Sequence, residues 1–122
     1  MRIGELAARA GVSVRALRYY EEQNLLVSVR SPSGQRHYPD SAVDRVEVIQ
    51  QLYAAGLPSR VIVELLPSVE TGEVTPELLV LLAAERNRID AQVGTLVRTR
   101  DRLDTIITTA DTARRAGLPC PR

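Results

Sequence analysis

From Pro76 the chain carries no helix breaker until Gly117, apart from an isolated Gly94, and apolar residues return along this stretch every seventh position. Leu82, Ile89, Leu96, Leu103 and Ala110 occupy one heptad position; Leu79, Arg86, Val93, Arg100 and Ile107 occupy the second. Such a segment is predicted to be a single helix over residues 76–113, about 57 Å long at 1.5 Å per residue. A helix of that kind cannot bury its seam alone, so a homodimer is expected, held by Leu82, Ile89, Val93, Leu96, Leu103 and Ile107. Arg86 and Arg100 bear on strand orientation. A parallel pair would set each against its own copy, whereas an antiparallel pair with its two-fold axis near Thr95 sets Arg86 against the partner's Asp104 and Arg100 against the partner's Asp90. An antiparallel coiled coil is therefore expected.

The preceding residues break into short elements. Ile3, Leu6, Ala7 and Ala10 share one helical face, and Gly11 supplies a tight turn. Ser13 is a natural N-cap for a second helix running to about Gln23, with Ala16, Leu17 and Tyr20 on one face and Arg15, Arg18, Tyr19 and Glu22 on the other. Two short helices around a glycine turn are the helix-turn-helix signature. After Asn24 the periodicity changes: residues 25–29 are β-prone, Ser31-Pro32-Ser33-Gly34 is a turn, and Arg36-His37-Tyr38 follows, which together predict a two-stranded wing. Pro39-Asp40-Ser41 is expected to cap a third helix with Val43, Val46, Ile49, Leu52 and Tyr53 as its stripe, ended by Gly56. Ser59 is expected to cap a short fourth helix stopped by Pro67. Thr75-Pro76-Glu77 then restarts the chain with a cap, a first-turn proline and an acid. The expected organisation is a mostly α fold: a four-helix winged helix-turn-helix over residues 1–67, a linker over 68–75, the dimerisation helix over 76–113 and a tail over 114–122.

Charge narrows the function. The formal net charge of +1 hides an asymmetry, since residues 1–38 hold six Arg against three Glu, giving +3, and the remainder holds ten Arg against twelve acids, giving −2. A local positive field of this kind serves phosphate contact. All sixteen basic residues are arginine, which suits bidentate phosphate or guanine contacts and equally fits codon bias in a GC-rich genome. With one cysteine, Cys120, and one histidine, His37, a single chain assembles neither a disulfide nor a closed Cys/His zinc site. No stretch approaches the roughly 20 apolar residues of a membrane span, and the first residues lack an apolar signal core. A soluble, cytoplasmic protein without a cofactor is expected.

The ordered strings Ile3-Gly4-Glu5-Leu6-Ala7, Gly11-Val12-Ser13, Leu17-Arg18-Tyr19-Tyr20-Glu21, Leu25-Leu26 and Gly34-Gln35-Arg36-His37-Tyr38 resemble the MerR, or mercury-resistance regulator, family. The resemblance is specific over the first forty residues and rests, beyond Pro76, only on a long helix in the right place. Asn24 departs from the family's usual glycine, but asparagine also tolerates a left-handed backbone. The resemblance implies that the second helix enters the major groove and the wing tracks the flanking backbone or minor groove. It assigns DNA contact to Arg15, Arg18, Tyr19, Tyr20, Arg36 and Tyr38, and Ser13 and Arg60 are expected to join them. Tyr20 shares a face with Leu17 and also reads as core, while Arg60 also reads as a solvated arginine. By the same resemblance, a dimer would bind a near-palindromic promoter operator and distort it, realigning promoter elements for RNA polymerase.

Metal-sensing members place cysteines around the start of the dimerisation helix. Residues 68–82 contain no Cys or His here, and Cys120 between two prolines reads as an inert thiol or a redox switch. Drug-sensing members carry a large C-terminal ligand domain, for which this chain leaves only a short tail. The all-round apolar run Leu78-Leu79-Val80-Leu81-Leu82 reads either as packing or as the wall of a pocket for an unknown small-molecule effector. An architectural, excisionase-like DNA-bending protein is the alternative to a regulator. An enzyme would need a nucleophile and base, and no such pair is visible.

Overall fold

A computed structural model describes residues 1–117. The order of elements is α1 (Ile3–Ala10), α2 (Val14–Glu22), β1 (Val29–Arg30), β2 (Arg36–His37), α3 (Ala42–Ala54), α4 (Ser59–Thr71) and α5 (Pro76–Ala116). The expected mostly α winged helix-turn-helix followed by one long helix is the fold observed. Two compact units divide the chain, Met1–Leu82 and a second beginning at Ala83.

The first unit is organised around one apolar core. Leu6 and Ala7 of α1, Leu17 and Tyr20 of α2, Leu25 and Leu26 after it, Tyr38, and Ala42, Val46 and Ile49 of α3 are buried together with Ile62 and Leu66 of α4. The turn between α1 and α2 is closed by Gly11 at φ +70°, and Val12 N–H donates to the Ala7 carbonyl at 3.0 Å. The Ser13 hydroxyl accepts from the Ala16 N–H at 3.0 Å, capping α2 as its residue type predicts. At the other end Asn24 adopts φ +62°, and Leu25 N–H reaches back to the Tyr20 carbonyl at 2.9 Å. Asparagine thus supplies the left-handed turn in place of glycine. That turn delivers Leu25 and Leu26 into the core as coil, so the strand expected over residues 25–29 shortens to Val29–Arg30, where β2 offers an antiparallel partner. The pairs are Val29 with His37 and Arg30 with Arg36.

Three expectations about helix ends are corrected. The turn before α3 uses backbone rather than a side-chain cap, with Ala42 N–H donating to the Pro39 carbonyl and Val43 N–H to that of Asp40. Pro58, not Ser59, is the N-cap of α4, because the Ser59 hydroxyl is engaged by tyrosines. Nor does Pro67 stop α4: the helix runs through it to Thr71 and ends at Gly72, φ +74°, whose N–H donates to the Ser68 carbonyl. An interior proline forfeits one backbone bond and costs about 3 kcal/mol. Here Leu66 beside it is buried, Pro67 itself is exposed, and Arg45 of α3 binds Glu70 on the following turn. These contacts hold the last turn in register, and the connection to α5 shortens to residues 72–75.

Thr75 caps α5 through its hydroxyl, which accepts from the Leu78 N–H at 3.2 Å. Within the second unit Thr95, Thr99, Thr105 and Thr108 each turn the hydroxyl onto the carbonyl four residues earlier. These β-branched side chains are thereby accommodated in the helix, each with its hydroxyl satisfied by the preceding turn. Val93, Leu96, Leu103 and Ile107 are exposed in the single chain, and Leu82 and Ile89 are half-buried. No helix among the described residues is long and apolar enough to cross a membrane. α5 continues to Ala116, three residues beyond its expected end, and residues 118–122 of the expected tail, with Cys120, lie outside the described residues.

Candidate nucleic-acid interface

The exposed face of α2 carries Arg15, Arg18 and Tyr19. Leu17 and Tyr20 anchor the opposite face, so burial alone turns the two arginines to solvent. Neither guanidinium makes an ion pair or hydrogen bond among the described residues, which leaves their donors available to an external acceptor. Because Ser13 caps the helix start, the N-terminal end of α2 stays regular where these side chains project.

Arg18 lines a depression of 320 Å³ with Arg2, Ile3, Gln35, Arg36 and Tyr38. Three arginines thus line it from three places: the residue before α1, helix α2 and the wing. Arg2 donates to the side-chain carbonyl of Gln35, bracing the wing from α1. Two backbone bonds between the same segments, Tyr38 N–H to Met1 O at 2.7 Å and Met1 N to Tyr38 O at 2.8 Å, bring them together. Such a cluster attracts a phosphate oxygen, which can accept from several guanidinium forks at once.

The tyrosines divide. Tyr19 is 45% exposed and its hydroxyl lies 3.3 Å from that of Ser59, which in turn sits 2.5 Å from the Tyr53 hydroxyl. Tyr20 is in the core, and burial pushes its phenol above the ordinary value of 10.0. Tyr53 is raised likewise by burial, against the opposing effect of its hydrogen bond with Ser59. Tyr38 is only 2% exposed, and its hydroxyl donates to Glu21. The ring expected at the DNA surface is therefore a core ring, because the residue after β2 turns inward beneath the wing. Arg36 is half-exposed and bonds Glu21 at 3.1 Å. Arg60 is exposed on the first turn of α4, separate in sequence from the α2 and wing group.

Sequence reasoning missed Arg2, Gln35, Ser59 and Glu21. Glu21 and Gln35 stood within the recognised strings but carried no assigned role. Arg2 had no local signal at all, since its neighbour Gln35 is brought to it by pairing across the fold.

Residues 1–69 match the family described as MerR HTH family regulatory protein. The chain belongs to the MerR family. MerR proteins are DNA-binding transcription regulators and not enzymes. The chain is 33% identical over 108 residues to the HTH-type transcriptional activator SoxR homolog of Chromobacterium violaceum, covering 86% of this chain and 72% of that one. It is 39% identical over 103 residues to the nodulation protein NolA of Bradyrhizobium elkanii, covering 84% of this chain but only 44% of NolA, so it spans under half that relative's length. Among solved structures, the regulator PbrR691 of Ralstonia metallidurans CH34 in complex with lead(II) superposes with a TM-score of 0.77 at 26% identity, covering 89% of this chain and 87% of that one. HiNmlR, a MerR family regulator lacking the sensor domain and bound to promoter DNA, shares the fold with a TM-score of 0.58 at 23% identity, over 97% and 91% of the two chains.

Proposed function

We propose that this MerR chain acts in the cytoplasm as a homodimeric, sequence-specific regulator that grips a near-palindromic promoter operator and distorts it. The observation that carries this reading is the convergence of Arg2, Arg18 and Arg36 on one depression beside the exposed Arg15. Arg15, Arg18 and Tyr19 on α2, with its capping Ser13, are the reading surface. Arg2 and Arg36 hold the flanking phosphates, and Arg60 contacts the backbone from α4. Tyr20 and Tyr38 contribute by holding α2 and the wing in place. Phosphate contacts of this type fix register, while base-edge contacts from α2 supply sequence preference.

The dimer reading is supported by exposed Val93, Leu96, Leu103 and Ile107 at heptad positions, completed by Leu82 and Ile89. An antiparallel coiled coil along α5 would hold two recognition helices at fixed spacing and so require a palindrome. Bending such a site costs several kcal/mol by elastic estimates, about 1–6, offset by wing contacts on both flanks. RNA polymerase would respond indirectly, through the realigned promoter. The functional organisation we assign is DNA binding up to the end of α4, a connection over residues 72–75 and dimerisation along α5. A small-molecule effector is compatible with the apolar start of α5. Lead(II), bound by PbrR691, is not carried over, since the whole sequence offers one cysteine and one histidine.

Footprinting on DNA upstream of the chain's own gene, titrated across salt beside Arg18→Ala and with a solution mass, tests the reading. A dimer protecting a near-palindrome inside a promoter spacer, with affinity falling steeply in salt, is the expected result. A monomer, or salt-sensitive binding without sequence preference, would overturn it and favour an architectural DNA-bending role.

A further inference from the structure

We propose that Glu21 is a positioning residue that sets the wing's arginine relative to the recognition helix. This inference rests on the proposed DNA reading for its consequence, though not for its geometry. Glu21 is the penultimate residue of α2, and its side chain is only 15% exposed. One carboxylate oxygen accepts from the Tyr38 hydroxyl and the other from Arg36 Nη1 at 3.1 Å. The carboxylate thus ties α2 to the second wing strand at Arg36 and to the residue that follows the strand.

An acid beside a phosphate-binding cluster is a liability if it acts only through charge. Like-signed groups repel, and removing Glu21 would then tighten DNA binding. Its geometry argues for the opposite sign. A two-stranded wing with two residue pairs has little intrinsic stability, and an arginine on it would otherwise sample many rotamers. Glu21 engages Nη1 of the Arg36 guanidinium and, among the described residues, leaves its remaining N–H groups without an acceptor, so the fork is aimed before any ligand arrives. Tyr38, buried below and bonded through its backbone to Met1, prevents Glu21 from following Arg36 outward. The wing is consequently placed from α2 as well as from Arg2.

The test compares parent, Glu21→Gln and Glu21→Ala in two measurements. Hydrogen exchange of the free protein reads the wing without DNA: amides of residues 30–38 should exchange about tenfold faster in Glu21→Ala, with those of α1 and α3 unchanged. Glu21→Gln keeps an acceptor for Tyr38 and removes the charge facing Arg36, so it should fold even if Glu21→Ala does not. Binding to the footprinted operator should weaken by about tenfold in both, despite the added positive charge, and protection should be lost only at the flanks. In an Arg36→Ala background the same Glu21 substitutions should have little further effect. Unchanged wing exchange, or binding as tight as the parent's, would overturn the proposal. A parent that protects no operator while its Glu21 variants loosen the wing would defeat the DNA reading and leave the positioning role standing.

Discussion

The ring of Tyr20 lies nearly parallel to that of Tyr53, with centroids 5.8 Å apart and planes 19° from one another. This stack joins α2 to α3, and Tyr53 carries the join onward through its hydroxyl to Ser59 at the start of α4. α2 is therefore seated by aromatic contact as well as by Leu17. Replacing Tyr53 by alanine should destabilise the fold by about 2–3 kcal/mol, read from the midpoint of denaturant unfolding, whereas Tyr53→Phe should keep the stack and lose much less.

The same two rings give a pH dependence of known sign. Burial raises both phenols above 10.0, so the folded state favours their neutral forms. Their contribution to stability is fully present below the unfolded value near 10 and is lost as pH climbs through the raised folded values. Thermal melts should therefore fall with pH above about 10, and the fall should be shallower in Tyr53→Phe. A melting temperature that stayed level from roughly pH 9 to well above about 10 would contradict this.

Arg18 makes no ion pair among the described residues, so substituting it should leave stability unchanged while weakening DNA binding. Arg18→Ala and Arg2→Ala should each reduce the slope of log affinity against log salt by about one, the signature of one lost phosphate contact. If only Arg18→Ala also changes preference among operator sequences, base reading belongs to α2 and not to the residue before α1.

Much of this architecture was legible because local chemistry and tertiary need coincided. Ser13 and Thr75 read as caps and are caps; Asn24 read as a tolerable left-handed turn and adopts φ +62°. Heptad spacing announced α5 without help from the rest of the chain. What could not be read depends on neighbours distant in sequence. Ser59 looked like a cap, but Tyr53 and Tyr19 claim its hydroxyl. Pro67 looked like a stop, yet burial of Leu66 and the Arg45 to Glu70 ion pair hold the helix past it. Tyr38 looked like a surface aromatic because strand alternation does not say which face of a two-residue strand meets a core. Arg2 joined the basic cluster through contacts between segments 33 and 37 residues apart in sequence.

Asn24 offers a test of backbone strain. Asn24→Ala should cost about 1–2 kcal/mol, because a Cβ-bearing residue without a local hydrogen-bonding side chain resists the left-handed region. Asn24→Gly should be neutral or slightly stabilising. Chemical denaturation of the two variants side by side separates the turn's demand from any general effect of losing the amide.

The proposed coiled-coil orientation is testable by charge exchange. Arg86→Asp alone and Asp104→Arg alone should each weaken the dimer about tenfold or more, and the double variant should recover most of the loss. Light scattering across a dilution series reads all three. Recovery requires the two positions to face each other across chains, which a parallel pair does not provide.

The reciprocal backbone bonds between Met1 and Tyr38 make the first residue's chemistry matter far from the terminus. Acylating that nitrogen, removing the methionine or appending a purification handle changes the charge or the freedom of a group that helps seat the wing. Two preparations with identical reading frames but different processing at residue 1 would then differ in their grip on an operator. A mass measurement of the intact chain belongs beside every affinity compared between them.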